Sequence, residues 1–509
     1  MKKVLLDGNT LTLDDLIAIG EGKSTVRLSD EARAWIQQSR DVVDSIVAEN
    51  RVVYGVTTGF GNFATVTIPH EKVEELQYNL LRSHAAGVGN PFPADIAKMI
   101  MVLRANVLAK GRSGISIEVL DLLIEMINRN VIPLIPEKGS VGASGDLAPL
   151  AHLALVLIGE GRARLEDQEG TGAEILKMAG LEPCRLRAKE GLALINGTQV
   201  MTAVGAKALH QAKHLATLAD IAGAMTLEAS KGTVTAFDER IHLERPYTGQ
   251  ITCATNMRSL LGNSEIAQSH RDCSKVQDSY TLRCIPQVHG PVRETISFVD
   301  KMLQIEMNSA TDNPMVFAEQ NKLVSGGNFH GESVAFWMDY LRIAISELAN
   351  ISERRTERLV NPVLSELPAF LVEDGGLNSG FMLAHVTAAA LVSENKGLCH
   401  PASVDSIPTS ANKEDHVSMG TIAARKTLEV ADNVANVIGI ELLAAAQGLE
   451  FLKPLMPAKP LIPVVKKIRE KIAPWDKDRY MAIDLETIRT LMDDGTLEDA
   501  ARSVAIDLK

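Results

Sequence analysis

The segment Gly139-Ser140-Val141-Gly142-Ala143-Ser144-Gly145-Asp146-Leu147-Ala148-Pro149-Leu150 places three glycines and two serines ahead of a helical signal. Its plainest reading is a tight turn entering a helix, with Asp146 as N-cap and Pro149 in the first turn. A phosphate cradle is disfavoured, because no Lys-Ser/Thr pair follows the glycines and no clear strand precedes them. A third reading uses Ala143-Ser144-Gly145 itself. In a tight bend the Gly145 amide nitrogen can approach the Ala143 carbonyl carbon, since glycine has no Cβ to block it. Ring closure with loss of two waters converts the triplet to a 4-methylidene-imidazol-5-one. Ser144 then supplies an exocyclic methylene, an electrophile built without an added cofactor. The N-terminus of the following helix favours negative charge developing there.

Other residues of chemical interest have plain readings as well. Glu414-Asp415-His416 contains ligand types, and so does the i,i+4 pair His210 and His214, but neither shows a third ligand. A helical histidine pair is usually a solvated or core-satisfied face, so no metal is predicted. Asn196-Gly197-Thr198 is formally a glycosylation sequon, a reading that fails in a cytoplasmic chain. The forked guanidinium of Arg283 suits an α-carboxylate. If Tyr280 to Arg283 is helical, their spacing of three puts both side chains on one face.

Helices must position these residues. Leu215, Leu218, Ala222, Met225 and Ala229 step by three and four, as do Leu341, Ala344, Ile345, Leu348 and Ile351, and Val430, Val434, Val437, Ile438 and Leu442. Each stripe lies in a long Ala-rich stretch with few Gly or Pro, which predicts close-packed long helices. Strand signals are few: Val316-Phe317 and Leu323-Val324 around Asn321-Lys322 read as a small hairpin. Gly-rich loops at 55–61, 85–89 and 139–145 mark the first 200 residues as site-bearing. Four prolines between Lys453 and Pro463 interrupt the helical pattern. The expected fold is all-α: a loop-rich domain over 1–200, a long-helix bundle over 201–452, and a connection with a helical tail over 453–509.

Composition narrows the function classes. At roughly 150 residues per domain, 509 residues allow a few domains or one large helical body. Hydrophobic residues make up 46% and charged residues 23%, the balance of an ordinary globular protein. The net charge of −12 carries no footprint of nucleic-acid binding. The most apolar run, Leu147 to Ile158, is too short for a membrane span. Five scattered cysteines without a CxxC fit a reducing compartment, and the N-terminus is not a secretory signal, so cytoplasm is the expected location.

In order along the chain, the loop at 139–150 is accompanied by Tyr54-Gly55-Val56-Thr57-Thr58-Gly59-Phe60-Gly61, Asn196-Gly197-Thr198-Gln199 and Gln277-Asp278-Ser279-Tyr280-Thr281-Leu282-Arg283-Cys284. Ser325-Gly326-Gly327-Asn328-Phe329-His330 and Asn412-Lys413-Glu414-Asp415-His416 follow. This set, from about Tyr54 to at least Gln447, resembles the aromatic amino acid ammonia-lyases and aminomutases. The resemblance implies a fumarase/aspartase-like fold and a homotetramer in which loops of several subunits complete each site. It implies the methylidene-imidazolone from Ala143-Ser144-Gly145, with no metal or external cofactor. It assigns Tyr54 as the base for the β-proton, Arg283 as the carboxylate clamp and Tyr280 as a catalytic-site hydroxyl. Asn196 and Gln277 become polar contacts to substrate or ring, Phe329 a neighbour of the electrophile, and Glu414 a pocket carboxylate or accessory base. The electrophile would capture the substrate at its amine or at its ring, and the sequence leaves both routes open.

The pair Ser83-His84 resembles the histidine-specific members, whereas tyrosine- and phenylalanine-specific members usually carry leucine at the second position. A carboxylate at 414 also suits an imidazole better than a phenyl ring. The implied reaction is loss of ammonia from L-histidine to give trans-urocanate. The same chemistry on tyrosine or phenylalanine, a 2,3-aminomutase and a non-catalytic helical assembly are the alternatives. Ser279, Lys413 and Val56-Thr57 depart mildly from the family pattern and remove no functional group.

Overall fold

The computed structural model describes residues 2–273 and 276–509. The three apolar stripes all lie in helices, within Gln199–Ala229, Glu332–Val360 and Gly420–Glu450. Leu215, Leu218, Ala222, Met225, Leu341, Ile345, Leu348, Val430, Val434, Val437, Ile438 and Leu442 are all buried, as a stripe recurring every three or four residues requires. Among the described residues, no helix is long and apolar enough to cross a membrane.

Strands are short and peripheral to this pattern. Lys2–Leu6 pairs in parallel with Ser24–Leu28, and Val88–Pro91 pairs antiparallel with Pro136–Lys138. Arg162–Leu165 pairs with Ile132–Pro133 on one side and Gln168–Thr171 on the other. The hairpin expected near 321 is present, Met315–Phe317 against Lys322–Val324, with Asn321 in the left-handed region at φ 50°.

The chain divides into two compact units that interleave in sequence. One comprises Met1–His210, Asp300–Asp339 and Pro401–Arg425; the other comprises Gln211–Val299, Tyr340–His400 and Lys426–Lys509. Four long helices, the three above and Ile285–Met307, contribute residues to both units. The first unit contains the Gly-rich loops and the buried helix Ala94–Ala109. In the second, a largely buried polar network links its helices. Asp220 accepts from His289 Nδ1 at 2.7 Å and from Arg293 at 2.6 Å, and Arg355 pairs with Glu441 at 2.5 Å.

Candidate active site

The 139–146 loop is tied at both ends and in the middle. Gly142 and Gly145 both take left-handed backbone, at φ 71° and 70°. A Cβ at Gly145 would lie 2.1 Å from Gly197 O, so only glycine fits there. Gly142 O accepts from Gly331 N at 3.1 Å and from Ser418 Oγ at 3.0 Å, and Met419 N donates to Val141 O at 2.8 Å. Asp146 N donates to Gly197 O at 2.8 Å. The two glycines bend the chain on either side of Ala143-Ser144, and their neighbours hold the bend, so the triplet fits the proposed ring.

Asp146 stands at the expected N-cap position, but its side chain is used elsewhere. Its side chain makes no capping bond to the helix Leu147–Leu157. Oδ2 instead accepts from Val200 N and Met201 N, 2.9 Å each, at the start of Gln199–Ala229. Oδ1 takes Ser140 Oγ at 3.0 Å and Thr421 Oγ1 at 2.5 Å. Burial pushes the Asp146 carboxyl up, and these four donors oppose it. A buried carboxylate caps a helix that begins 53 residues later, which joins the loop to the Asn196-Gly197 corner.

Ser144 meets Glu414 directly: its Oγ donates to Glu414 Oε1 at 2.9 Å. Glu414 Oε2 accepts from Thr409 Oγ1 at 2.6 Å and Ser410 Oγ at 3.0 Å. His84 ends the helix Val73–His84, with Ser83 Oγ 3.0 Å from its Nδ1. Burial pushes the His84 imidazole down, while the Leu80 carbonyl and the Glu414 charge act against that shift. Glu414 is thus coupled both to Ser144 and to His84.

Asn196 is buried one residue before the glycine that meets Gly145. Its Nδ2 donates to Asp312 Oδ1 at 3.2 Å and Asn313 O at 3.1 Å, and Asp312 pairs with the buried Lys189 at 3.1 Å. Arg104 donates to Asn196 O at 2.7 Å; burial lowers its guanidinium to about 10, and its Nε and Nη2 have no partner among the described residues. Phe329 is half-buried, two residues before the Gly331 that binds Gly142 O. Tyr54 is half-buried with its hydroxyl 3.4 Å from Gly61 N. Its loop packs closely, since a Cβ at Gly55 would come within 2.9 Å of Leu192 and 3.1 Å of Pro314.

Gln277, Tyr280 and Arg283 belong to the second unit. Tyr280–Arg283 is a single helical turn, and the Arg283 guanidinium lies 4.5 Å from the Tyr280 ring centre, the shared face expected from their spacing. Arg283 and Gln277 line a cavity of about 810 Å³ with Thr233, His270 and Gln287. Arg283 Nε is buried and has no hydrogen-bond partner among the described residues.

The sequence showed no third ligand beside His416, but the structure brings His330 and Glu332 to it, with one ligand atom of each within 4.8 Å of the others. His416 stacks on His330, with ring centres 5.5 Å apart, and His330 bridges His416 O and Glu332 N. His214 faces Glu498 at 3.3 Å. Sequence reasoning missed Thr409, Ser410, Ser418 and Thr421. Hydroxyl residues are common, and only the fold shows which of them meet a carboxylate or the loop.

Residues 11–470 match the family described as aromatic amino acid lyase. The chain is similar to a histidine ammonia-lyase of Homo sapiens, 57% identical over 496 residues, covering 96% of this chain and 76% of that protein. It is similar to a histidine ammonia-lyase of Alkaliphilus oremlandii, 53% identical over the whole of both chains. Among solved structures it resembles histidine ammonia-lyase from Trypanosoma cruzi, with a TM-score of 0.92, 47% identity, and coverage of 99% and 97% of the two chains. It also resembles a tyrosine aminomutase from Streptomyces globisporus, with a TM-score of 0.94, 38% identity, and 99% of each chain covered.

Proposed function

The chain belongs to the aromatic amino acid lyase family, and from that premise we propose that it eliminates ammonia from L-histidine without oxidation to give trans-urocanate. The observation that carries this reading is the junction of Ser144, Glu414 and His84. The loop suited to forming the electrophile meets a carboxylate, and that carboxylate is electrostatically coupled to an imidazole. An apolar ring would offer nothing to Glu414 Oε1 or to His84 Nε2, whereas the substrate imidazole offers a ring N–H to the first and a ring nitrogen to the second.

The methylidene-imidazolone formed from Ala143, Ser144 and Gly145 would supply an electrophilic carbon that activates the substrate for loss of its amine. The side chains do the rest. Arg283 holds the α-carboxylate through its forked guanidinium, with Tyr280 stacked beside it. Tyr54 takes the β-proton as the Cα–N bond breaks. Asn196, fixed by Asp312, and Gln277 offer polar contacts, and Phe329 shields the reacting carbon from water. A homotetramer in the cytoplasm, with loops of more than one subunit at each site, completes the proposal.

Absorbance growth on adding L-histidine, with L-tyrosine and L-phenylalanine in parallel, tests it, because a conjugated acrylate absorbs where the amino acids do not. Product from histidine alone, lost in Ser144→Ala, is the expected result. Product only from the other two would keep the electrophile and discard the reading of His84 and Glu414.

A further inference from the structure

The Glu414 carboxylate is gripped on both oxygens, and its two partners sets have different fates. Oε1 accepts from Ser144 Oγ, a hydroxyl that departs as water if the ring forms: the Ser144 Cα–H and Cβ–Oγ bonds break and a Cα=Cβ bond forms. Oε2 accepts from Thr409 Oγ1 at 2.6 Å and Ser410 Oγ at 3.0 Å, which take no part in that chemistry. Ring formation would therefore release Oε1 as an acceptor while Oε2 stays occupied.

The loop that provides this grip is unusual. Thr409 and Glu414 close it as an antiparallel pair, Thr409 N to Glu414 O at 3.0 Å and Glu414 N to Thr409 O at 3.4 Å. Between them Ser410, Ala411 and Asn412 hold φ of 51°, 54° and 61°. Three successive side-chain-bearing residues in the left-handed region are costly, and such a turn persists only where its surroundings over-determine it. The turn brings two hydroxyls to the same carboxylate oxygen.

We infer that Thr409 and Ser410 are positioning residues: by occupying Oε2 they arrest rotation of the Glu414 carboxylate and present Oε1 to the substrate imidazole. The inference deepens the histidine reading and rests on it. Rotation about the terminal bond of a glutamate is otherwise broad and nearly free. The Thr409 contact has the length of a charge-assisted O–H···O⁻ bond, and the Ser410 contact is longer, so Thr409 contributes more.

The test is steady-state kinetics with L-histidine on the full chain, with intact mass to follow ring formation. Thr409→Val is expected to lower kcat/KM about tenfold, Ser410→Ala less, and Thr409→Ser to recover most of the loss. All three should retain the loss of two waters. In a Glu414→Ala background, Thr409→Val should cost nothing further, because a residue acting through Glu414 has nothing left to position. A purely structural role would cost the same in both backgrounds and would overturn the inference. So would an unchanged kcat/KM in Thr409→Val, or a failure of that variant to form the ring. Should Thr409→Val not fold, the same cycle with Ser410→Ala, at an exposed position, decides the matter. A native protein silent on histidine with its ring formed marks the failure of the histidine reading, and this inference falls with it.

Discussion

At Ser144 the backbone is held from every direction: Val141 and Gly142 by Ser418, Met419 and Gly331, and Asp146 by Thr421 and the first turn of Gln199–Ala229. At Arg283 the picture reverses. Val276 is fully exposed, Tyr280 is 72% exposed, and Arg283 Nε waits buried without a partner among the described residues. Both regions are proposed to meet the same substrate. The difference follows from what each must do before substrate arrives. Closing a ring from an unactivated amide requires the protein alone to enforce a bend, so that loop is over-determined. A carboxylate clamp, the role proposed for Arg283, must admit a substrate and release a product, so an open segment suits it.

The largest effect expected lies on the over-determined side. Ser144→Ala should abolish turnover and keep both waters in the intact mass. Gly145→Ala is the sharper variant, because it leaves the serine in place. Its new Cβ would sit 2.1 Å from Gly197 O, at a backbone φ of 70°. The ring should fail to form although every atom that enters it is present. A Gly145→Ala protein that still loses two waters would show that the bend does not govern ring closure.

The next effect concerns the support behind Asn196. Lys189 and Asp312 are both fully buried, 3.1 Å apart, and the same carboxylate holds Asn196 Nδ2. Removing one partner strands a buried charge, so Lys189→Met should cost about 3–5 kcal/mol in denaturant unfolding. The exposed pair Arg162–Glu169, 3.0 Å apart in the same unit, should cost at most about 1 kcal/mol when Arg162 is truncated. Equal losses would mean that the buried pair does not hold the Asn196 corner.

This contrast also marks how far the sequence could be read. Helical stripes, the hairpin around Asn321 and the shared face of Tyr280 and Arg283 were legible because each depends on near neighbours with a fixed period. The tight bend around Ala143-Ser144-Gly145 was legible through its glycines. Asp146 stands at the N-cap position as read, but its side chain serves Val200 and Met201, 54 and 55 residues onward, where no local pattern points. Thr409 and Ser410 lie only five and four residues from Glu414, but the left-handed turn that brings them to its carboxylate follows no period that could be read. The interleaved units and strands of only two to five residues were hidden as well.

On the open side, Arg283→Lys should lower kcat/KM by about 1.5–3 kcal/mol, expressed mainly in KM, as a charged fork is replaced by a point charge. Its stability should stay within about 0.5 kcal/mol of the native chain, since lysine keeps the positive charge beside the Tyr280 ring. A variant that loses stability and keeps its KM would invert the comparison, making Arg283 a structural residue.

The smallest effect expected is at His84, half-buried at the end of its helix and proposed to face the substrate. Burial holds its imidazole below the ordinary value of 6.5, against the opposing charge of Glu414. The folded state therefore favours the neutral ring. As pH falls through 6.5, the unfolded chain takes up a proton that the folded chain declines, and stability drops; above 6.5 the term vanishes. His152, His242 and His289 are shifted the same way by burial, so the native acid slope contains all four groups. The difference between native and His84→Leu unfolding curves isolates one of them. It should be flat at neutral and alkaline pH and should favour the variant increasingly on the acid side. The same variant should lose histidine turnover relative to any turnover of phenylalanine, because Leu replaces a ring nitrogen partner with an apolar surface. An unchanged acid slope together with unchanged substrate preference would place His84 outside the pocket and leave Glu414 as its sole polar determinant.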